Sequence, residues 1–308
     1  MEQTLTVVGE ALIDIVVPRS GEAKEHVGGS PANVAVGLAR LAHRTQLATH
    51  IGTDERGRRI ADLMRAEGVQ LVEGSTSARR TPTAIARLDE AGAATYEFDL
   101  DWQLDPSSVA ASLGGHLHTG SIAATLPPGA DGVADLVASA RARSTISYDP
   151  NARPSLMGSP DKARPVIERL IRLADVVKAS DEDVRWLYPG RPVTAVLVDW
   201  ASLGPSVCAV TQGGQEAVVL AAGQIERFPT LPTAVVDTVG AGDSFMAGLI
   251  SGLVDKGLLG GPDARERLRF ADWPLLSTAI GRALACAAIT VSRAGANPPT
   301  RAELVIEN

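Results

Sequence analysis

The sequence predicts an α/β fold: a mostly parallel sheet covered by helices on both faces, with a small β-sheet standing off it as a lid. Three observations carry this expectation. Short apolar runs alternate with helical patterns along the 308 residues. A glycine-rich turn leads from a β-branched run into an apolar helix across 234–253. Two stretches, 12–17 and 83–98, break the alternation.

The elements follow in order. Residues 4–8 read as a buried strand ending at Gly9. A helix is expected over 31–42, with Ser30 as N-cap, Pro31 at the first helical position, and Val34, Ala35, Leu38, Leu41 and Ala42 at helical spacing. A helix over 58–66 precedes a strand at 69–73. Strands at 116–119, 145–148, 175–178 and 206–211 alternate with helices at 130–142 and 162–173. Residues 83–98 read as a hairpin turning at Glu90-Ala91-Gly92. The run 12–17 lies too close to the first strand for a crossover helix, so segments 12–27 and 83–99 are assigned to the lid of a single domain, 1–308. A lid of this kind would close a reactive site against water. The Gly-, Pro- and charge-rich stretch 256–274 reads as an excursion between two helices.

Composition narrows the function classes. Hydrophobic residues make up 45% of the chain and charged residues 21%, enough for a sizeable core. A net charge of -7 and only four lysines argue against a nucleic-acid surface. No long uninterrupted apolar window argues for a membrane span, no leader pattern opens the chain, and a cytoplasmic address is expected. Cys208 and Cys286 lie in apolar runs and read as buried thiols.

The richest signal is the run from Asp237-Thr238-Val239 through Gly240-Ala241-Gly242 to Asp243-Ser244-Phe245. Small residues let the backbone approach a ligand, and the open N–H groups of a helix start favour an anion. Asp243 falls in that first turn. A carboxylate there is either a helix-start acid or a base beside a phosphate, and the long flanking pattern favours the base. A P-loop is absent. A dinucleotide fingerprint would need a third glycine where Phe245 stands, and would open the first βαβ unit rather than a late one.

These residues carry a resemblance. The run 237–245 resembles the second signature of the ribokinase-like (PfkB) sugar kinases, and Gly28-Gly29-Ser30-Pro31-Ala32-Asn33-Val34-Ala35 resembles the first. The likeness runs from Val7-Val8-Gly9-Glu10 through Thr211-Gln212-Gly213-Gly214 to Ser292-Arg293-Ala294-Gly295-Ala296. It implies a Rossmann-like, ribokinase-like sheet with a β-lid over a sugar, ATP and Mg²⁺ as cofactors, and a homodimer through the lid. Asp243 would be the catalytic base, helped by the turn of Gly240, Ala241 and Gly242. Asp14, Gly28, Gly29 and Asn33 would line the sugar pocket. Asp149, Asn151 and Arg153 resemble a stretch of fructokinase-like members, where Arg153 would contact the transferring phosphate or an acidic sugar; a Pro-rich turn with a solvated Arg explains them as well. Tyr96 and Phe98 would cover the sugar or pack the lid, and His118 reads as structural.

On the nucleotide side, Thr211, Gly213 and Gly214 resemble the family's phosphate turn and also an ordinary hairpin turn. Ala283, Ala287 and Ala288 would flank adenine or pack a core helix, and Lys178 would contact a nucleotide phosphate. The family's Asn-x-x-Glu stretch is here Ser180-Asp181-Glu182-Asp183, so Asp183 would meet Mg²⁺ through water, or simply cap a helix. Asp237 and the loop 292–297 are compatible with a monovalent cation such as K⁺. Fructose leads the expected substrates, followed by 2-keto-3-deoxygluconate and ribose. An NAD-dependent oxidoreductase and a non-catalytic sugar-binding regulator are the alternatives from other classes.

Overall fold

The computed structural model describes residues 3–18, 22–88 and 94–304. The strands are β1 (Thr4–Val8), β2 (Leu12–Val17), β3 (Lys24–Gly28), β4 (Thr45–Ala48), β5 (Val69–Leu71), β6 (Thr83–Leu88) and β7 (Ala94–Asp99). They continue with β8 (Gly115–Gly120), β9 (Thr145–Asp149), β10 (Val176–Ser180), β11 (Val207–Thr211), β12 (Glu216–Ala221) and β13 (Gln224–Pro229). Among the described residues, nine strands form one sheet in the order β13-β12-β11-β10-β9-β8-β1-β4-β5. From β11 to β5 every pairing is parallel; β12 and β13 extend the edge antiparallel. A second, four-stranded sheet runs β3-β2-β6-β7.

Apolar runs such as Val176-Val177 and Val207-Cys208-Ala209-Val210 form these strands because both sheet faces are covered, one by each of two core clusters. The helices Ser30–Arg40, Ala241–Asp255 and Trp273–Val291 supply much of the cluster that includes Leu5 and Val7. On the other face, helices Gly129–Ala140, Pro160–Leu173 and Val193–Leu203, the last with its own Trp200, pack over Leu117 and Ile146. Both cysteines are free and buried. Helix Trp273–Val291 is long and apolar enough by composition to cross a membrane. Its Ile280 and Ala283 are instead in the core, and its Arg282 bonds Ser251 and Asp255 on helix Ala241–Asp255.

The stretch 256–274 is more than a loop. It holds the helix Pro262–Arg269, whose Arg265 donates to Asp175 at 2.6 Å, to Ser144 O and to Arg141 O. Gly260 exchanges hydrogen bonds with Thr145. The segment thus closes the N-terminal ends of β9 and β10, leaving their C-terminal ends for the site.

Two histidines on β8 run beneath that site. His116 bonds Thr145 and Ser147, and His118 Nδ1 bonds Ser147. Burial pushes both imidazoles down to about 3. In the unfolded chain each ring titrates near 6.5. The stability they contribute is therefore full above that value and is lost as pH falls from 6.5 toward 3, because the unfolded chain takes up protons that the folded one refuses. A His116→Asn/His118→Asn variant should lose stability between pH 6.5 and 4 with a slope up to about two protons shallower than the parent, read as urea midpoints against pH. Equal slopes would show that the folded protein protonates these rings over the same pH range as the unfolded chain.

Candidate active site

The C-terminal ends of the parallel strands, the place where α/β folds collect ligands, bring together residues far apart in sequence. Strand β9 ends in Asp149, β10 carries Lys178 and ends in Ser180, and β11 ends in Thr211. Helix Ala241–Asp255 starts against them. Its N-cap, Gly240, has φ 75, and a Cβ there would stand 2.6 Å from the Ala296 Cβ, so both conformation and space select glycine. The Ala241 N–H is engaged by Thr238 O at 3.2 Å, so it is not a free donor. Among the described residues, the N–H groups of Gly242 and Asp243 have no protein partner, the condition in which a helix start can receive an anion.

Lys178 completes that end. Its Nζ lies 3.0 Å from where a Cβ on Gly242 would stand. It donates to Asp149 Oδ2 at 2.7 Å, in a pair with both side chains buried. Burial alone would lower the Lys178 pKa; the carboxylates of Asp149, Asp243 and Asp183 outweigh it and hold the ammonium charged. Burial pushes Asp149 up to about 6 against the pull of Lys178. Asp149 was expected beside the sugar. It is 1% exposed, and its other oxygen accepts the Asn151 N–H, so the carboxylate is turned inward onto Lys178.

Asp243 is buried, and both its oxygens are held by the first glycine motif: Ser30 Oγ donates to Oδ1 at 2.6 Å and Asn33 Nδ2 to Oδ2 at 2.8 Å. The expectation that Ser30 caps the helix is corrected. Helix Ser30–Arg40 starts from Gly29, with no side-chain cap, because β3 runs to Gly28 and the turn is made at Gly29 with φ 104. The Ser30 hydroxyl is thereby released toward Asp243.

The small four-stranded sheet carries Asp14 on β2. Asp14 alternates with the buried Ile13 and Ile15, and shares its face with Leu12, Ala84 and Phe98 through the register of β2, β6 and β7. Leu12 and Ala84 pack with Ile122 from the loop after β8, and Leu156 and Met157 from the helix Pro154–Met157 pack against them. Gly28 makes room for the Asp14 carboxylate, since a Cβ there would fall 1.9 Å from Oδ2. Burial raises the Asp14 pKa, against the opposing charges of Arg153 and His26. The side chain of Tyr96 and the turn Glu90-Ala91-Gly92 lie outside the described residues.

Glu10, two residues beyond β1, is a group that residue-level reading left without a role. Its carboxylate accepts the Ala123 N–H at 3.2 Å, and burial pushes it up to about 7, moderated by Ser121 and Arg153. Asn151 has φ 38, a left-handed conformation that Asn tolerates. Arg153 uses Nη1 on Asn151 and Ala152 oxygens. His118 is buried, with Nδ1 bonded to Ser147 and, among the described residues, no hydrogen-bond partner at Nε2.

The other expected residues lie on several elements. Gln212 to Gln215 make the hairpin turn from β11 to β12, and Gly213 and Gly214 face open space. Asp183 and Ser180 form a capping box, and Asp183 also accepts the Ala152 N–H at 2.7 Å. Asp237 accepts the Val239 and Gly295 N–H groups, which tie the glycine turn to the loop 292–297 and lower its pKa. Among the described residues no group of three or more His, Cys, Asp or Glu side chains could hold a metal by itself. Ala283 is packed on Gly248. Ala288 lines a groove of about 660 Å³ with Leu231, Thr233, Arg282, Ser292 and Leu304, while Ala287 is half-buried against the core.

Comparison with known proteins bears on the family and the fold. The model of the pfkB family carbohydrate kinase matches residues 2–303. A fructokinase of Klebsiella pneumoniae is 33% identical over 266 residues, covering 84% of this chain and 87% of its own. The crystal structure of a Xylella fastidiosa fructokinase with bound ATP superposes with a TM-score of 0.83 at 25% identity, over 96% of this chain and 94% of that one. A double-mutant Vibrio cholerae fructokinase, solved with fructose, ADP and potassium ion, gives 0.79 at 25% identity, again over 96% and 94%. With the match spanning both sheets and the glycine turn, the chain belongs to the pfkB family of carbohydrate kinases.

Proposed function

We propose that this kinase transfers the γ-phosphate of ATP to a primary hydroxyl of fructose, with Asp243 as the base. The observation that carries the reading is the position of Asp243, buried beside free helix-start amides and Lys178, and bonded to Asn33 of the first motif. The sugar lies between Asp14 on the lid and Asp243, and its hydroxyl loses a proton to Asp243 as the oxygen attacks. The Gly242 and Asp243 amides and the Lys178 ammonium hold the transferring group, so positioning and charge do most of the work. Asp149 serves by holding Lys178 rather than by touching sugar. The groove beside Ala288 takes the base of the nucleotide, and the 211–214 turn approaches its phosphates. Mg²⁺ would supply charge neutralisation for the phosphates, and Asp183 would be the residue that holds it, through water. A monovalent ion would lie near Asp237. A homodimer through the lid sheet and a cytoplasmic location go with the same reading.

Phe245, where a dinucleotide fingerprint would need glycine, is 1% exposed in the core, which leaves the NAD-dependent alternative without a phosphate turn. An intact Asp243 site speaks against a non-catalytic regulator.

One observation favours 2-keto-3-deoxygluconate as a second substrate class. The charge of Arg153 reaches both Asp14 and Glu10, and its bonds to protein oxygens all come from Nη1. The rest of the guanidinium fork suits a carboxylate. The test is ADP release, coupled to a reporter, against ketoses, aldoses, sugar acids and nucleosides. Fructose should give the highest kcat/KM; a nucleoside far ahead of every sugar would defeat the proposal. Arg153→Met should cost the sugar acid about tenfold or more in kcat/KM. An equal loss for fructose would place Arg153 on the phosphate instead.

A further inference from the structure

We infer that Ser30 is a positioning residue for phosphoryl transfer: with Asn33, it holds the Asp243 carboxylate in the orientation that leaves one side open to the substrate hydroxyl. The inference rests on the reading of Asp243 as the base. Ser30 and Asn33 stand three residues apart on one turn of helix Ser30–Arg40, so they reach the carboxylate from the same side. Each takes one oxygen, at 2.6 Å and 2.8 Å. A carboxylate offers roughly four lone-pair sites. Two are filled from the helix side, and those left over lie away from it, where a sugar hydroxyl under the lid can arrive.

The serine has no competing duty. Gly29, not Ser30, is the N-cap, and the helix start has no side-chain cap. Asp243 is the one hydrogen-bond partner recorded for the hydroxyl among the described residues. Ser30 is 9% exposed and Asp243 8%, so water does not readily replace the bond. A base left free to rotate would have to be oriented anew at each turnover, and misplacement by about 1 Å costs of order a hundredfold in rate.

The test compares Ser30→Ala and Ser30→Thr with the parent, under saturating sugar and ATP. Ser30→Ala should lower kcat by about ten- to a hundredfold, the worth of one hydrogen bond to a charged group. KM for ATP should stay unchanged, and Ser30→Thr, which keeps the hydroxyl, should recover most of the loss. Alanine fits the space and favours helices, but the buried Asp243 carboxylate loses one hydrogen bond, so the unfolding midpoint should fall modestly and kcat is compared well below it. In an Asp243→Asn background the same Ser30→Ala change should cost nothing more. Parental kcat in Ser30→Ala, or a full additional loss in the Asn background, would overturn the positioning role and leave the kinase reading standing. A parent protein with no sugar-dependent ADP release would instead overturn the reading of Asp243, and this inference with it.

Discussion

Asp243→Asn should lower kcat by about two orders of magnitude or more, the usual worth of a positioned general base, while ATP still binds. The substitution keeps the shape of the side chain. Its amide oxygen can still accept from Asn33, but it cannot take a proton from a sugar hydroxyl. The structural penalty is small by comparison, since an acid in the first helical turn is worth about 0.3–1 kcal/mol. Binding of ATP should be equal or tighter, because a buried negative charge is removed beside the amides of Gly242 and residue 243 and the Lys178 ammonium. Turnover at saturation, together with calorimetric ATP titration, separates the two effects. An Asn variant that turns over near the parental rate would remove Asp243 from the chemistry and with it the proposed mechanism.

Lys178→Met should show the second large effect, on two readouts. Its ammonium leaves Asp149 at 1% exposure with the Asn151 N–H as its remaining partner. Breaking a buried pair from one side costs about 3–5 kcal/mol. Here the cost should lie toward the lower end at neutral pH and below, because burial already pushes Asp149 up to about 6, and the orphan can neutralise itself by taking a proton. Activity should fall as well, by about ten- to a hundredfold in kcat/KM for ATP, because the cation nearest Gly242 is gone. A Lys178→Met/Asp149→Leu variant separates the two roles. Replacing both members of a buried pair by apolar groups is often close to neutral, so stability should return. Activity should not. A double variant that regains both would mean that the pair is only a structural element of β9 and β10.

Much of the architecture was legible residue by residue. Strands such as Thr4–Val8 and Val207–Thr211 are apolar runs that can be nothing but buried, and the helix after Ser30 has its apolar residues at helical spacing. The lid strands Leu12–Val17, Thr83–Leu88 and Ala94–Asp99 stood out because they break the strand–helix alternation. Strand β4 did not stand out: four residues with Thr45 and Gln46 at its start look like loop, and only the pairing with β1 and β5 makes them strand. Helix Val193–Leu203 was hidden for the opposite reason, being apolar around much of its circumference. The stretch 256–274 reads as loop from its Gly and Pro content. Its helix is held by Arg265 on Asp175, a partner 90 residues away.

The chemistry divides along the same line. Local pattern was sufficient for the glycine turn, for the helix that follows it, and for Asp243 as the acid at its start, because backbone conformation and helix polarity are properties of adjacent residues. The partners of that acid came from contacts across more than 200 positions: Ser30 released from capping to grip one oxygen, and Asn33 turned to the other. Asp149 likewise exchanged the sugar for Lys178 when β9 and β10 paired side by side. Local signals report what a residue is able to do; a hydrogen bond between distant segments depends on the direction in which each strand and helix delivers its side chains, and that is set only when the sheet and its covering helices pack.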